Sequence, residues 1–599
     1  MRSIGCGAGL TRKPEVSALD HCLTNAVTPE ILRSVLWHFP SGAMTGSPAR
    51  FRPPAAWLAV LFAAVVIGAF LRLDQFAAQV LIDDEWHAVH QVLQHTPRMM
   101  FLDFGIADYS IPLGILDWYA SRAWGLSEIT MRAPMMVFGL VTLAVLPLYV
   151  APRLGWTAAA AFALLLAISP LLVVYSRMAR PYAITLLLGW AAHAAFHRYH
   201  ASARGSTPAG IAYGTAATLT TWLHPVAAPF VLAPLLWALT QLHHVAPAER
   251  RAHLLRLVCL AVPTGVAIAL LILPPLFAHP QSLANKSGVD LPGLETLVGV
   301  WYAWLGTPST VVVVLCVALA AYGAPAVWRA LPEARTGVLG IGLTLLAVML
   351  TRPMWSQHAL TLARYLLPFV PLLLLGVVVG AVRAAGCLAK RPTLVRRALA
   401  AGITALPLVA LAAQSPLAPM LRHPNTQTVH MMFHFEFRAD RNPFFRRFDH
   451  IPLSPFWASL ATLPAGTVRV AAAPFYFESF NWDAPRWERL SRQTVLPGYL
   501  TGLCVDRRWG EVPQGAAFRF RNAVYLADAT TLVQRNIDFV VWQKPYVQTD
   551  GEANVTIGED TPHCEAVLRE KFGAPVFEDS AMVAFRVARP SAPAPSAQR

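Results

Sequence analysis

Residues 57–73 read WLAVLFAAVVIGAFLRL, and soon afterwards the chain reads Leu81-Ile82-Asp83-Asp84-Glu85-Trp86-His87. The first stretch is an uncharged apolar run up to Arg72, long enough to cross a hydrocarbon core as a helix. The second sets three consecutive carboxylates just beyond it. Buried without partners, such charges are costly. At a membrane surface they form a compact acidic cluster of the kind that supplies a catalytic base. The same residues also suit a helix N-terminus, where Asp and Glu complement the dipole and Asp83 or Asp84 serves as the N-cap.

The rest of the chain continues the apolar theme. Of 599 residues, 55% are hydrophobic and 14% charged, against roughly 25% charged in soluble domains. The mean hydropathy is +0.47. Apolar runs recur, so the expected fold is a polytopic α-helical membrane protein. Eleven spans are expected, near 55–73, 133–151, 156–175, 181–197, 209–223, 225–242, 256–277, 309–328, 337–351, 361–382 and 397–413. Around Trp222-Leu223-His224-Pro225 the chain either joins two spans or bends one helix into a re-entrant piece.

The formal net charge of +15 does not point to nucleic acid, because Arg and Lys sit mostly in short loops between apolar runs. That distribution sets membrane orientation. With the N-terminus in the cytosol, the inside loops hold Arg153, Arg198, Arg204, Arg250, Arg251, Arg256, Arg329, Arg335, Arg383, Lys390, Arg391, Arg396 and Arg397. The short outside loops hold only Arg177, Arg180, Lys286, Arg352 and Arg364. Arg72, Arg98, Arg122 and Arg132 fall to a longer first loop, whose length weakens its bearing on orientation.

Four regions follow. Residues 1–54 read as a cytosolic, disordered tail or as the product of an upstream start, Met44 being an alternative; they lack the pattern of a cleaved signal peptide. Residues 55–415 are the transmembrane domain, with an outward first loop at 74–132. Residues 416–589 are expected to form an extracytoplasmic α/β domain, with strands at 468–472, 537–542 and 582–587 and helices at 527–535 and 564–572. Residues 590–599 read as a disordered Pro-, Ala- and Ser-rich tail. Within the first loop, Trp86, Val89 and Leu93 share a helical face that suits a helix lying on the membrane, and Ile111 to Trp124 reads as a second such helix. Cys504 and Cys564 either pair, if their region is exported, or remain buried thiols; Cys259 and Cys316 read as packing residues within spans.

A second motif, Tyr175-Ser176-Arg177-Met178-Ala179-Arg180-Pro181-Tyr182, joins two expected spans on the outer side. Arg177 and Arg180 are three apart and share a helical face. Their guanidinium forks suit phosphate oxygens, and equally suit snorkelling to lipid headgroups.

An Asp-Glu pair soon after the first span, followed by Ser-x-x-Ala-Arg-Pro-Tyr, resembles the GT-C membrane glycosyltransferases. More narrowly, it is similar to the protein mannosyltransferase and lipid A aminoarabinose transferase group (glycosyltransferase family 39-like). The family's Asp-Glu falls on Asp84-Glu85, and its Ser-Gln-Glu-Ala-Arg-Pro-Tyr on residues Ser176 to Tyr182. Arg364-Tyr365-Leu366-Leu367-Pro368 resembles its Arg-Tyr…Pro at the start of a late span. Two departures stand out: Arg177-Met178 replaces Gln-Glu, and His87 follows Asp-Glu-Trp where small or aliphatic residues are common.

The resemblance implies an integral enzyme of the bacterial inner membrane. Its donor is a polyprenyl-phosphate-linked sugar in the bilayer, and its acceptor an extracytoplasmic hydroxyl on a glycan, lipid or protein. It implies Asp84 as the base that takes the acceptor proton, with Glu85 as positioning partner or alternative. Asp83 disfavours a second ionised neighbour by like-charge repulsion, which suits a base. Arg180, then Arg177 and Arg364, are the implied stabilisers of the departing phosphate, with His87 and Tyr182 beside the substrate. Direct displacement implies inversion. The resembled group generally needs no cofactor; the spacing of Asp83, Asp84, His87 and His90 on a helix keeps a divalent metal open. His224 and His358, near expected outer ends, and Asp103, Asp108 and Asp117 in the first loop read first as structural residues. The alternative from another class is a transporter or flippase of a lipid-linked or anionic substrate, which calls for ionisable groups near the bilayer midplane and for repeat symmetry.

Overall fold

The computed structural model describes residues 54–74, 76, 84–107, 110–202, 205–388, 394–415, 454–474, 487, 490–506, 524–550, 553–557 and 561–588. The chain divides into Met1–Pro54 and Ala55–Arg599, and the architecture below belongs to the second unit. Asp83, Asp108, Arg204, Lys390, Arg391 and both expected tails lie outside the described residues, as do the side chains of Asp84, Trp86, His90 and Leu93.

Helix α1 (Ala55–Leu73) is followed by four short helices: α2 (Asp84–Gln94), α3 (Pro97–Phe101), α4 (Phe104–Ala107) and α5 (Ile111–Trp124). The bundle continues with α6 (Glu128–Leu154), α7 (Trp156–Ile168), α8 (Pro170–Ser176), α9 (Tyr182–Ala201), α10 (Thr207–Leu223), α11 (Ala228–Gln241) and α12 (Pro247–Ala278). After α13 (Gln281–Ala284) and α14 (Leu294–Leu305) come α15 (Thr310–Ala330), α16 (Pro332–Thr351), α17 (Ala359–Tyr365), α18 (Phe369–Leu388) and α19 (Leu394–Gln414). The expected spans fall on helix, except that 156–175 and 361–382 are each broken in two, at Ser169 and at residues 366–368. By length and composition, seven stretches among the described residues qualify to cross a membrane, and the α7–α8 pair makes eight. The shortfall from eleven arises at α9, α10 and α19, which are shorter or more polar. This is a multi-pass membrane protein.

Two local features shape the bundle. Helices α7 and α8 meet at 61°, where Pro170 carries no N–H to continue the ladder. The carbonyls freed at the end of α7 are taken by Arg72 of α1. Its Nη1 donates to Ala167 O at 3.1 Å and to Gly68 O at 3.0 Å, and its Nη2 donates to Leu166 O at 3.2 Å. Its Nε donates to Ser176 Oγ at 3.2 Å. Arg72, counted above as a loop charge, is therefore a buried staple, 1% exposed. Elsewhere α15 and α18 approach to backbone contact: a Cβ on Gly380 would lie 1.9 Å from Leu319 O, so only glycine fits there.

The C-terminal region is a mixed α/β layer. Its six-stranded sheet runs in the order β3-β2-β1-β4-β8-β7. Central β1 (Arg469–Ala473) pairs in parallel with β2 (Thr494–Tyr499) and β4 (Phe539–Gln543), and β2 with β3 (Val524–Tyr525). The edge β8 (Met582–Arg586) and β7 (Phe577–Glu578) is antiparallel. A hairpin of β5 (Tyr546–Asp550) and β6 (Ala553–Ile557) stands apart. Helices α20 (Pro455–Leu460), α21 (Ala529–Gln534) and α22 (Cys564–Phe572) complete it.

Cys504 and Cys564 form a disulfide that closes a sequence separation of 60. Restricting a loop of that length in the unfolded chain stabilises by about 4 kcal/mol in the chain-entropy account. Of the span cysteines, Cys316 is buried and Cys259 exposed.

The sheet region packs onto the first loop. One apolar cluster joins Ala88, Val89 and Val92 of α2 and Leu113 of α5 to Phe456, Trp457, Val470 and Met582. The described buried residues of α2 include Glu85, Ala88, Val89 and Val92, so Val89 meets protein rather than the lipid expected of its face. A helix with protein on this side buries whichever stripe faces that protein.

Candidate active site

Both motifs sit at one end of the bundle. The C-terminus of α1, the N-termini of α6 and α9 and the C-termini of α8, α10 and α17 converge there. Helix α6 begins with Ser127 as N-cap, its Oγ accepting the Thr130 N–H at 3.2 Å. This cap starts the helix before residue 133 and places Arg132 in its second turn, facing inward.

Glu85, in the first turn of α2, points at that arginine. Arg132 Nε donates to Glu85 Oε1 at 2.7 Å and Arg132 Nη2 to Oε2 at 2.6 Å. Both side chains are 0% exposed. Glu85 Oε1 also accepts the Ala179 N–H at 2.8 Å. One carboxylate therefore ties the acidic motif to the second motif and to α6. Asp84 precedes it in sequence at the first residue of α2, and Arg180 follows Ala179. The Glu85 oxygens are committed to a charge-assisted fork, which suits positioning. His87 lies one turn along α2, half-buried.

The second motif is a break between helices. Residues 177–181 leave the helical path after α8, and α9 starts at Tyr182. Arg177 is buried and turned back toward α1, its Nη1 donating to Leu71 O at 3.0 Å and Asp74 O at 2.8 Å. It satisfies carbonyls at the C-terminal end of that helix, a partnership the sequence reading did not foresee. Arg180 is also buried.

Tyr182 heads an aromatic group. Its ring packs edge-on to Tyr175 at 4.9 Å and tilts against His224 at 5.4 Å, and His224 lies 5.4 Å from Tyr365. The Arg364 guanidinium carbon is 5.6 Å from both the Tyr182 and Tyr365 ring centroids, within cation–π range. Tertiary folding thus gathers Tyr182 and Arg364, 182 residues apart in numbering, at one spot. It brings in His224, which the sequence treated as structural.

Asp117 is a further buried group. It is 0% exposed, and neither carboxyl oxygen has a hydrogen-bond partner among the described residues. It lies one turn beyond Gly114, whose Cβ would sit 2.7 Å from Gln91 Oε1, so this face of α5 looks toward α2. Burial pushes its carboxyl well above the ordinary value of 3.8. A folded-state pKa above the unfolded one means that the folded state holds the extra proton. Stability is then fully present below the unfolded value and declines as pH rises from there toward the folded value. Asp117→Asn is expected to remove that decline. Thermal unfolding from pH 4 to pH 8 should show the variant gaining on the wild type as pH rises; parallel profiles would show that Asp117 ionises freely.

Among the described residues, no group of three or more His, Cys, Asp and Glu is placed to share a metal ion. Asp83 and the Asp84 side chain, both part of the metal option above, lie outside that description.

No family model matches the chain, and no curated protein matches it by sequence. Solved structures do. ArnT from Cupriavidus metallidurans in the apo state matches at 14% identity with a TM-score of 0.40, covering 88% of this chain and 97% of that one. The same protein bound to undecaprenyl phosphate matches at 13% and 0.38, covering 89% and 98%. The archaeal oligosaccharyltransferase AglB from Archaeoglobus fulgidus, in complex with an inhibitory peptide and a dolichol-phosphate, matches at 14% and 0.39, covering 82% and 69%. These are GT-C glycosyltransferases.

Proposed function

We propose that this chain is a membrane glycosyltransferase that moves a sugar from a polyprenyl-phosphate donor to an extracytoplasmic acceptor hydroxyl. The observation that carries the reading is the Glu85 carboxylate holding both Arg132 and the Ala179 N–H. It joins an acidic motif to a cationic one, which is the pairing that glycosyl transfer needs. In the reaction the acceptor oxygen attacks the anomeric carbon, and its proton passes to the Asp84 carboxylate. The bond between the anomeric carbon and the phosphate oxygen breaks with inversion, and the electron pair leaves on the polyprenyl phosphate. Arg180 and Arg364 face that growing negative charge in a site walled by Tyr175, Tyr182 and Tyr365, where low polarity strengthens the attraction. Arg177 supports the same turn from behind through the end of α1. The mechanism asks for no metal. The excess of Arg and Lys in the other loops supports an extracytoplasmic motif end, with the sheet region covering it.

The test is the lipid-linked sugar profile of cells lacking the protein. One polyprenyl-phosphate sugar is expected to accumulate and one envelope glycan to lose that sugar, both restored by the wild-type gene. Unchanged lipid-linked sugars would overturn the reading, and accumulation confined to the cytoplasmic leaflet would favour a flippase instead.

A further inference from the structure

The opposite end of the bundle carries a second built site. On α6, Tyr149 lies 17 residues beyond Arg132, about 26 Å away along a helix of 1.5 Å rise per residue. There a cavity of about 100 Å³ opens between α6, α7, α9, α16 and α18, lined by Leu146, Tyr149, Trp190, Glu333, Leu372 and Leu375 among others. Its walls are almost wholly apolar. Glu333 is the one charged group among the lining residues.

Glu333 stands in the first turn of α16 and is 5% exposed. Its Oε1 accepts the Tyr149 hydroxyl. Its Oε2 has no hydrogen-bond partner among the described residues. A carboxylate so placed calls for a cationic or donating partner. His197 lies within electrostatic reach of Glu333, Arg153 and Arg335. Arg153 is exposed, with its guanidinium carbon 4.3 Å from the Tyr149 ring centroid, and Arg335 lies two residues on from Glu333.

We propose that this cavity binds a phospholipid with a primary-ammonium head: the ammonium on Glu333, the phosphate beside Arg153 and Arg335, and one hydrocarbon chain in the apolar pocket. The charge pattern selects this occupant. An anionic head would meet the carboxylate, and a trimethylated head has no N–H to donate, whereas a primary ammonium offers three donors. The head-group site at Glu333 is distinct from both motifs and does not depend on the reaction proposed above.

The experiment uses the full chain in nanodiscs of equal parts phosphatidylethanolamine, phosphatidylcholine and phosphatidylglycerol, with retained lipids counted by native mass spectrometry. The wild type is expected to retain phosphatidylethanolamine over phosphatidylcholine by about ten-fold, the worth of one charge-assisted hydrogen bond. Glu333→Gln keeps the shape and is expected to abolish that preference. Equal retention of the two lipids by the wild type overturns the proposal whether or not the variant folds. So does a preference for phosphatidylglycerol, or one that survives in Glu333→Gln.

Discussion

Asp84→Asn is expected to lower sugar transfer by about 10²–10⁴-fold, the usual worth of a positioned general base, while leaving the fold intact. Asn keeps the size and the polarity of the side chain at the first residue of α2. What it loses is the ability to hold the acceptor proton. Neighbouring Glu85 is poorly placed to substitute, because its oxygens already accept from Arg132 and from the Ala179 N–H. The measurement is transfer from a polyprenyl-phosphate sugar by purified protein, beside its thermal unfolding. Full activity in a folded Asp84→Asn protein would remove Asp84 from the base role and end the mechanism in this form.

Glu85→Ala is expected to act differently, through stability as well as rate. Its partner Arg132 is 0% exposed, and removing one member of a buried ion pair leaves the other charge uncompensated, at a cost of about 3–5 kcal/mol. Replacing both members, Glu85→Met with Arg132→Met, is expected to recover most of that stability, because apolar side chains of similar volume tolerate the site. Activity should stay low in the double variant. The tie from Glu85 to the Ala179 N–H is lost, and with it the anchor that sets Arg180 beside the acidic motif. Thermal unfolding and transfer rate, measured together on the three proteins, separate these effects. A Glu85→Ala protein as stable as the wild type would show that the pair does not hold the motifs together.

Much of the architecture was legible in the chain because its signals are local. Apolar runs must be helical in a bilayer, where no water satisfies backbone groups, and the expected spans are helical, two of them broken into two helices. The bounds of α5, Ile111 and Trp124, follow from composition, and the strands at 468–472, 537–542 and 582–587 match β1, β4 and β8. The order of the acidic motif, the Ala-Arg-Pro-Tyr motif and Arg364-Tyr365 was visible for the same reason.

Partners were not legible, because they are distant in sequence and leave no local pattern. Arg132 meets Glu85 across 47 positions and Arg72 meets Ser176 across 104, yet both arginines read as ordinary charges near span ends. One local clue bore on Arg132: Ser127 followed by Glu128 is a helix N-terminus signature, which moves the start of α6 outward and draws the arginine inside. Nothing comparable announced that Arg177 would turn to the α1 carbonyls, or that Glu333 would face an apolar cavity. Which segments enter the membrane, and which residue types stand at their ends, follows from local pattern alone, since hydropathy and backbone hydrogen bonding act residue by residue. Tertiary structure alone decided which charge neutralises which, since a buried ion survives only beside a partner that folding brings within a few ångströms.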